Sequence, residues 1–283
     1  MGPPGSTPDG GGADASIDRT ENHDMTDITA FMIVKNEAVL LPRCLASLRG
    51  VVDELAILDT GSTDNTVAVI EHEATAGHFR RVRWLPHEFR DFGSARTANL
   101  AMVDTEWALW LDADEVLSDE LRDRLGGMGG DGSLGEHAGW RLRRANRVLG
   151  RVMRSRRLAA DYVLRLFRTD GGQLSNSLVH EGIELAAGAT VGQLEEPLYH
   201  DTLMSIGPYL QKVDHYTTLD VANPTDKKFN PLHFVVTGPL TFFKDFVTRG
   251  GLVDGWPGFV WCSISAWTCV QRDWKRMKRD WMG

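Results

Sequence analysis

The chain has 283 residues, of which 42 % are hydrophobic and 25 % are charged, the balance of an ordinary globular protein. Its formal net charge of -8 argues against a nucleic-acid partner, because phosphate contacts require a basic face. The three cysteines are too few and too widely spaced for a disulfide framework or a CxxC metal site. We therefore expect reduced thiols in a cytoplasmic protein.

Residues 1–27 lack the apolar core of a signal peptide, and we predict a disordered leader there. No later apolar run approaches the roughly 20 residues of a membrane span. We expect the protein to act in the cytoplasm. Whether it does so at the cytoplasmic face of the inner membrane is left open.

Four short apolar runs then alternate with helical patterns. The runs are ITAFMIV (28–34), ELAILD (54–59), VRWLPHE (82–88) and WALWLDA (107–113). Strands that alternate with helices predict the α/β class, with a mostly parallel sheet covered by helices.

Polar side chains follow three of these predicted strands. Glu37 comes after the first strand, Asp59 ends the second, and Asp112 and Asp114 lie at the end of the last. In such sheets ligands bind beyond the carboxyl ends of the strands, so we predict a site at this edge. Asp112 and Asp114 are two residues apart and would project to the same side of an extended backbone. Glu115 points elsewhere and is expected to begin the next helix.

A glycine-rich stretch at 126–139 follows. It contains a formal GxGxxG match at Gly130 to Gly135. No predicted strand precedes the match and no clear helix opens from it, so a dinucleotide-binding motif is rejected. We predict a flexible loop between two halves of the chain.

Two carboxylates facing one way suit a hard divalent cation that keeps room for substrate phosphates. The alternative is that Asp112 and Asp114 only cap the following helix at its positive end. The chain has no P-loop, which argues against phosphoryl transfer from ATP. The remaining chemistry is transfer of the group attached to a diphosphate, most plausibly a sugar. A metal would stabilise the departing diphosphate, and a general base would activate the acceptor hydroxyl.

Three motifs carry a resemblance at this point. FMIVKNEAVLLPRCLASL, ILDTGSTDNT and WLDADE resemble the nucleotide-half signatures of family 2 glycosyltransferases, which have the GT-A fold. The series GWRLRRANRVLGR, YVLRLFR, LVHEG, PLYHDT and FFKDFVTRGGLVDG resembles the bacterial lipopolysaccharide-core β-glucosyltransferase-like branch. The resemblance implies a catalytic domain over 28–205, with a nucleotide-sugar half (28–125) and an acceptor half (138–205). A C-terminal helical region would occupy 206–283.

The resemblance also implies roles for single residues of the donor site. Asp59 matches the acid that reads the uracil ring, and Glu37 lines the nucleotide pocket. Arg96 matches an arginine near the nucleotide. Asp114 would bind the metal, Mn²⁺ or Mg²⁺, while Asp112 would share it or contact the ribose. The donor is thus expected to be a nucleotide-sugar, with UDP as the nucleotide.

The general base is expected on the acceptor side. Glu181 matches the family's VHE motif and could accept the hydroxyl proton. His180 could instead coordinate the metal or steady the leaving diphosphate, and a purely structural role is the alternative. His200, Glu195 and Glu196 are kept as reserve candidates. If the resemblance holds, the reaction is a single inverting displacement.

An arginine cluster spans 141–157. Its eight members are Arg141, Arg143, Arg144, Arg147, Arg151, Arg154, Arg156 and Arg157. A solvated strand face is the usual explanation of such a cluster. Arginine also grips phosphate bidentately, so contact with a phosphorylated glycolipid acceptor or with the diphosphate stays open.

The end of the chain mixes tryptophans with five basic residues. The basic residues are Arg272, Lys275, Arg276, Lys278 and Arg279. We expect the earlier aromatic residues of this region to pack in a core. For the last helix we expect contact with an anionic membrane surface.

The leading hypothesis is a metal-dependent, inverting glycosyltransferase that acts on an envelope or lipid-linked saccharide such as lipopolysaccharide core. A peptide or protein acceptor is the alternative within the same class. A non-catalytic sugar-nucleotide-binding protein is the alternative outside it, but that hypothesis predicts a lost DxD or VHE motif. Both motifs are present.

Overall fold

The computed structural model describes residues 27–155, 158–174, 182–223 and 226–282. Contacts divide the chain into two compact units, one within 1–142 and 163–196 and the other within 143–162 and 197–283. The strands are β1 Ile28–Val34, β2 Glu54–Asp59, β3 Arg81–Pro86, β4 Trp107–Trp110, β5 Glu115–Leu117, β6 Gly139–Val148, β7 Arg151–Val152, β8 Asp161–Arg168, β9 Gly172–Leu174, β10 Ile183–Leu185 and β11 Val191–Leu203. The helices are α1 Leu41–Leu48, α2 Thr66–Ala76, α3 Phe92–Leu100, α4 Asp119–Asp131, α5 Ile206–Ala222, α6 Pro231–Phe243 and α7 Gly255–Met277.

The main sheet begins with four parallel strands. Strand β1 lies between β2 and β4, and β3 pairs with the outer side of β2. The full strand order is β3-β2-β1-β4-β8-β6-β11-β5, with β7 paired to β6. Every residue of β2 and β4 is buried, which explains why both read as unbroken apolar runs. The α/β class predicted from the alternating pattern is confirmed.

Helices and aromatic rings hold the parallel strands in place. Helix α3 packs on β1 and β2, and its Asn99 side chain donates a hydrogen bond of 2.9 Å to the carbonyl oxygen of Ala56. The Phe31 ring lies between those of Trp110, at 6.4 Å, and Phe167, at 6.1 Å. These contacts fix the carboxyl end of β4, where the turn that contains Asp112 and Asp114 begins.

The predicted loop at 126–139 is wrong in its first part. Helix α4 continues to Asp131 and a 3-10 turn follows at Ser133–Glu136. Leu121, Leu125 and Met128 are buried on one side of α4, so their packing outweighs the roughly 0.5–1 kcal/mol that each helical glycine costs. The helix ends at Gly132, whose φ of 77° is the left-handed conformation that glycine adopts readily.

The second unit is built around α7. Helices α5 and α6 both pack against α7. A buried cluster contains Val148, Met153, Leu158, Leu203, Val213, Val260 and Ile264. None of the helices in the described ranges is long and apolar enough to cross a membrane.

Two members of the arginine cluster are held by acids of the same unit. Arg144 forms a bidentate pair with Asp161, and Arg147 forms one with Asp201 at two distances of 2.8 Å. The guanidinium of Arg147 also lies 4.5 Å from the centre of the Tyr199 ring. Arg144 and Arg147 therefore form ion pairs with acids and do not lie on a solvated strand face, while Arg156 and Arg157 lie outside the described residues.

Candidate active site

The loop after β2 is organised by Asp59. Its buried carboxylate accepts hydrogen bonds from the backbone N–H groups of Gly61 at 3.2 Å and Ser62 at 3.1 Å, and from the Ser62 hydroxyl. Such local acceptance by an aspartate stabilises a tight turn. The sequence DTGSTD therefore folds back over the end of β2 and keeps Asp59 at the carboxyl edge of the sheet.

The loop after β1 is joined to this turn. Asn36 has a φ of 56°, a left-handed conformation that asparagine tolerates better than most residues. Its side-chain oxygen accepts from the Thr63 N–H at 2.7 Å, and its own N–H donates to the Ser62 hydroxyl at 2.9 Å. The N–H of Glu37 donates to the Thr66 hydroxyl at 2.8 Å. The structure thus holds Glu37 and Asp59 on neighbouring loops at one edge.

The acids after β4 lie in a tight turn. The Glu115 N–H donates to the Asp112 carbonyl oxygen at 2.9 Å, and the Asp112 N–H donates to the Glu115 carboxylate at 3.0 Å. The extended backbone expected across Asp112 and Asp114 is therefore wrong, because β4 ends at Trp110 and aspartates favour turns. Both carboxylates are half-buried.

The expected position of Glu115 at the start of a helix is also wrong. It does not begin a helix but opens β5, and its side chain is fully buried. The Arg165 guanidinium of β8 donates to its carboxylate at 2.6 Å and to that of Asp112 at 2.9 Å. A buried carboxylate needs a cationic partner to stay charged, and Arg165 is that partner for Glu115. Because Arg165 also binds Asp112, the pair holds the acidic turn from inside the protein.

Arg165 remains a cation in this position. Burial by itself would lower its pKa, but the charges and hydrogen bonds of Glu115 and Asp112 outweigh burial and raise the pKa above its ordinary value. Arg165 was not singled out from the sequence. The signal that could have found it is an arginine inside the apolar strand YVLRLFR, since a buried arginine requires an acid.

Arg96 lies beside the same turn. Its guanidinium is 4.5 Å from the centre of the Trp110 ring, and that of Arg165 is 4.8 Å from the same ring. Burial lowers the pKa of Arg96, Asp112 raises it and Arg165 lowers it, but an arginine with an ordinary pKa above 12 stays charged. The Trp110 ring thus contacts two arginine side chains next to the acidic turn.

Cys44 lies beneath the acids. Its buried thiol donates a weak hydrogen bond of 3.7 Å to the carbonyl oxygen of Asp112. Burial raises its pKa, and the charges of Glu115, Asp114, Asp112 and Glu37 raise it further. The predicted reduced thiol is therefore a neutral one, and the four acids lie close enough to act on it together.

The structure describes only some of the residues predicted to act on the acceptor side. His180 and Glu181 lie outside the described residues. Glu195 is exposed and accepts a hydrogen bond from Gln193, while Glu196 is half-buried. The His200 ring nitrogen Nδ1 lies 2.8 Å from the Asn146 side-chain oxygen, which favours a structural role. The identity of the base stays a prediction.

The donor set of the turn is compatible with a divalent cation. Within the described residues, no three His, Cys, Asp or Glu side chains are grouped as metal ligands. Mg²⁺ and similar ions in nucleotide sites take only one or two carboxylates and fill the rest of their shell with phosphates and water. Asp112 and Asp114 could supply these one or two carboxylates.

Comparisons with known proteins define the class. The model described as "Glycosyl transferase family 2" matches residues 29–171, which is just over half of the chain. The chain belongs to glycosyl transferase family 2. The predicted GT-A type of α/β fold is confirmed, and the protein is a glycosyltransferase by family.

Two glycosyltransferases and one solved structure are similar to the chain. The chain is 26 % identical over 255 residues to the lipopolysaccharide core biosynthesis glycosyltransferase LpsC of Rhizobium meliloti (strain 1021), which covers 87 % of this chain and 92 % of the relative. An uncharacterized glycosyltransferase of Rickettsia felis is 27 % identical over 247 residues, covering 83 % and 84 %. The crystal structure of S. aureus TarS 1-349 in complex with UDP-GlcNAc aligns with 86 % of this chain and 81 % of that chain, at 13 % identity and a TM-score of 0.45.

Proposed function

We propose that the protein is an inverting, metal-dependent glycosyltransferase that moves a sugar from a UDP-sugar to a lipid-linked envelope saccharide. One observation carries the proposal. In a chain of family 2, Asp112 and Asp114 form a turn at the carboxyl edge of the sheet, and a buried Arg165–Glu115 pair holds that turn. Ligands bind at this edge in α/β sheets.

The donor would lie across the three loops of this edge. Asp59 and Glu37 would contact the nucleotide, and Arg96 would lie near its diphosphate. Asp112 is already engaged by Arg165, so we assign the direct metal contact to Asp114 and the ribose or a metal-bound water to Asp112. The cation, Mn²⁺ or Mg²⁺, would stabilise charge on the leaving diphosphate. Arg165 acts as a positioning residue for Asp112.

The transfer itself requires a proton acceptor for the attacking hydroxyl. We assign this role to Glu181, with His180 as the alternative base or metal ligand. The hydroxyl oxygen would attack the anomeric carbon as the bond to the diphosphate breaks, and its proton would pass to the carboxylate. Glu195, Glu196 and His200 are the reserve candidates.

Replacing Glu181 by Gln should lower kcat about a hundredfold or more and leave the Kd for the donor nearly unchanged, because general-base catalysis contributes on that scale. Steady-state kinetics and a donor titration measure the two quantities. Glu184→Gln, three residues further along the sequence in β10, is the matched control and should keep its kcat. Turnover that survives in the Glu181→Gln variant would move the role to one of the reserve candidates.

The acceptor is proposed by analogy with the LpsC relative, which is a lipopolysaccharide core biosynthesis glycosyltransferase. With a lipid-linked acceptor, the enzyme would act at the cytoplasmic face of the inner membrane. A peptide or protein acceptor is the second candidate. Transfer assays with delipidated core saccharide and with peptide mixtures separate the two.

UDP with Mn²⁺ should raise the melting temperature, because a ligand that binds only the folded state stabilises it. At a concentration about one hundred times the Kd the gain is about 2.7 kcal/mol, or roughly 5 °C or more for a chain of this size. Differential scanning fluorimetry measures the shift, and UDP with a chelator is the control. The absence of a shift with any nucleoside diphosphate and metal would contradict the donor site.

A further inference from the structure

Helix α6 presents an apolar face to solvent. Its thirteen residues include no aspartate, glutamate, lysine or arginine. Leu232, Val235, Leu240 and Phe243 are 73 %, 69 %, 63 % and 63 % exposed. Isolated exposed apolar side chains are ordinary, but a contiguous row marks an interaction surface.

The row lies on one side of the helix. At 100° per residue, Leu232, Val235, Leu240 and Phe243 fall within an arc of about 140°, and Gly238 falls outside that arc. Gly238 is the one buried residue of α6, all of which is described, and a Cβ there would lie 2.7 Å from a methyl group of Val270 on α7. Helix α6 therefore packs on α7 through the side that carries Gly238, and the exposed apolar row lies outside that contact.

The apolar surface continues beyond α6. Leu252 and Val253, in the 3-10 turn Gly251–Asp254, are exposed, and so is Trp256 at the start of α7. The Trp256 ring stacks on Phe259 at 5.5 Å, and Phe259 meets Phe242 of α6 at 5.6 Å. An aromatic cluster thus joins α6 to the turn. We call the exposed apolar side chains of α6 and of this turn, together with Trp256, the apolar face.

Positive charge brackets the apolar face. Lys227 and Lys228 come directly before α6, Lys244 comes directly after it, and all three are exposed. Residues 227–256 contain four basic side chains and two acids, Asp245 and Asp254. Asp245 is buried and paired with Arg249 at 2.8 Å, and the Asp254 carboxylate accepts hydrogen bonds from two backbone N–H groups. This local excess of positive charge stands in a chain whose net charge is -8.

The end of the chain, where membrane contact was expected, is less suited to it. Four of its five basic residues are paired with acids of the same unit, and Lys278 lies 5.3 Å from the Trp274 ring. The pairs are Arg272–Asp220, Lys275–Asp214, Arg276 with Asp226 and Asp273, and Arg279–Asp226. These cations stabilise the helices, and the pKa of Asp226 falls to about 2 through its hydrogen bond to Arg276.

We propose that the apolar face docks the protein onto an anionic lipid bilayer. Helix α6 is roughly 20 Å long at 1.5 Å per residue, too short for a hydrocarbon core of about 30 Å, so it lies in the plane of the headgroups. Its apolar side enters the acyl boundary, and Lys227, Lys228 and Lys244 meet lipid phosphates. A bilayer fits better than a protein partner, because α6 carries no Asp, Glu, Lys or Arg and exposed lysines lie just before and just after it. This docking goes beyond the proposed sugar transfer.

The test is co-flotation of the full chain with vesicles of phosphatidylcholine, with and without phosphatidylglycerol. The wild type should bind the vesicles that contain phosphatidylglycerol. The double variant Leu240→Gln/Phe243→Gln should lower the partition coefficient about tenfold or more. The double variant Lys227→Gln/Lys228→Gln should lower it about fivefold for each lysine, and only when phosphatidylglycerol is present.

Leu219→Gln on α5 is the matched control, since Leu219 is also exposed and α5 packs elsewhere on α7. The control should bind vesicles like the wild type, and all variants should keep the melting temperature and the rate of donor hydrolysis in solution. Loss of vesicle binding without loss of hydrolysis supports docking independently of the active site. Unchanged vesicle binding in both double variants would overturn the proposal. So would variants that change only the oligomeric mass, because the face would then join two copies of the chain.

Discussion

Replacing Asp114 by Asn should abolish sugar transfer and leave the fold intact. The half-buried Asp114 lies in the turn at the carboxyl edge, and the amide keeps its size while removing the charge that a divalent cation requires. We expect kcat to fall about a thousandfold or more, because a metal contributes several kcal/mol to the stabilisation of the leaving group. Initial rates at saturating donor and Mn²⁺ measure the loss.

The matched control is Asp119→Asn. Asp119 is 92 % exposed at the start of α4, five residues further along the chain, and pairs only loosely with Arg122 at 3.4 Å. This variant should keep its rate. An Asp114→Asn enzyme that transfers sugar at close to the wild-type rate would remove the metal contact assigned to Asp114.

Replacing Arg165 by Met should destabilise the protein by about 3–5 kcal/mol, because removal of one partner leaves the other charge buried and uncompensated. Here Glu115 is fully buried and would lose its 2.6 Å hydrogen bond. Urea unfolding measures the change in free energy. The same variant should raise the KM for the donor, since Asp112 would lose the contact that orients it.

Two further variants separate charge burial from simple loss of packing. Arg168→Met is made on the same strand, where the guanidinium pairs with the exposed acids Glu106 and Asp170, and it should cost no more than about 1 kcal/mol. Combining Arg165→Met with Glu115→Leu should recover much of the stability, because the only charge left without Arg165 is the partly exposed Asp112. If the double variant were as unstable as Arg165→Met, an uncompensated Glu115 charge would not be the cause.

The edge of the sheet could be predicted because its determinants are local. Strands β2 and β4 are buried on both faces, and such strands read as apolar runs that end at the polar residues of the site. Asp59, Asp112 and Asp114 therefore lie at the carboxyl ends of these strands, where the sequence pattern put them. The turn conformation of the last two was missed, because the two-residue spacing is equally compatible with a strand and with a turn.

Features that depend on distant partners could not be predicted. Glu115 is buried because Arg165 lies fifty residues away in sequence and next to it in space. Lys275 and Arg276 pair with Asp214 and Asp226, acids that a reading of the last helix alone does not include. The same limit applies to α6, since a helix without charged residues reads as a core element until its exposure is known.

The central claim is that the acidic edge binds a nucleotide-sugar and a metal for group transfer. Its most direct measurement is a screen of nucleotide-sugars for hydrolysis, with Mn²⁺ or with a chelator, because water can replace a missing acceptor. The wild type should release UDP from at least one UDP-sugar only when Mn²⁺ is present, and Asp114→Asn should release none. Equal UDP release with the chelator, or no release from any nucleotide-sugar by a folded wild type that also fails to bind UDP, would contradict the claim.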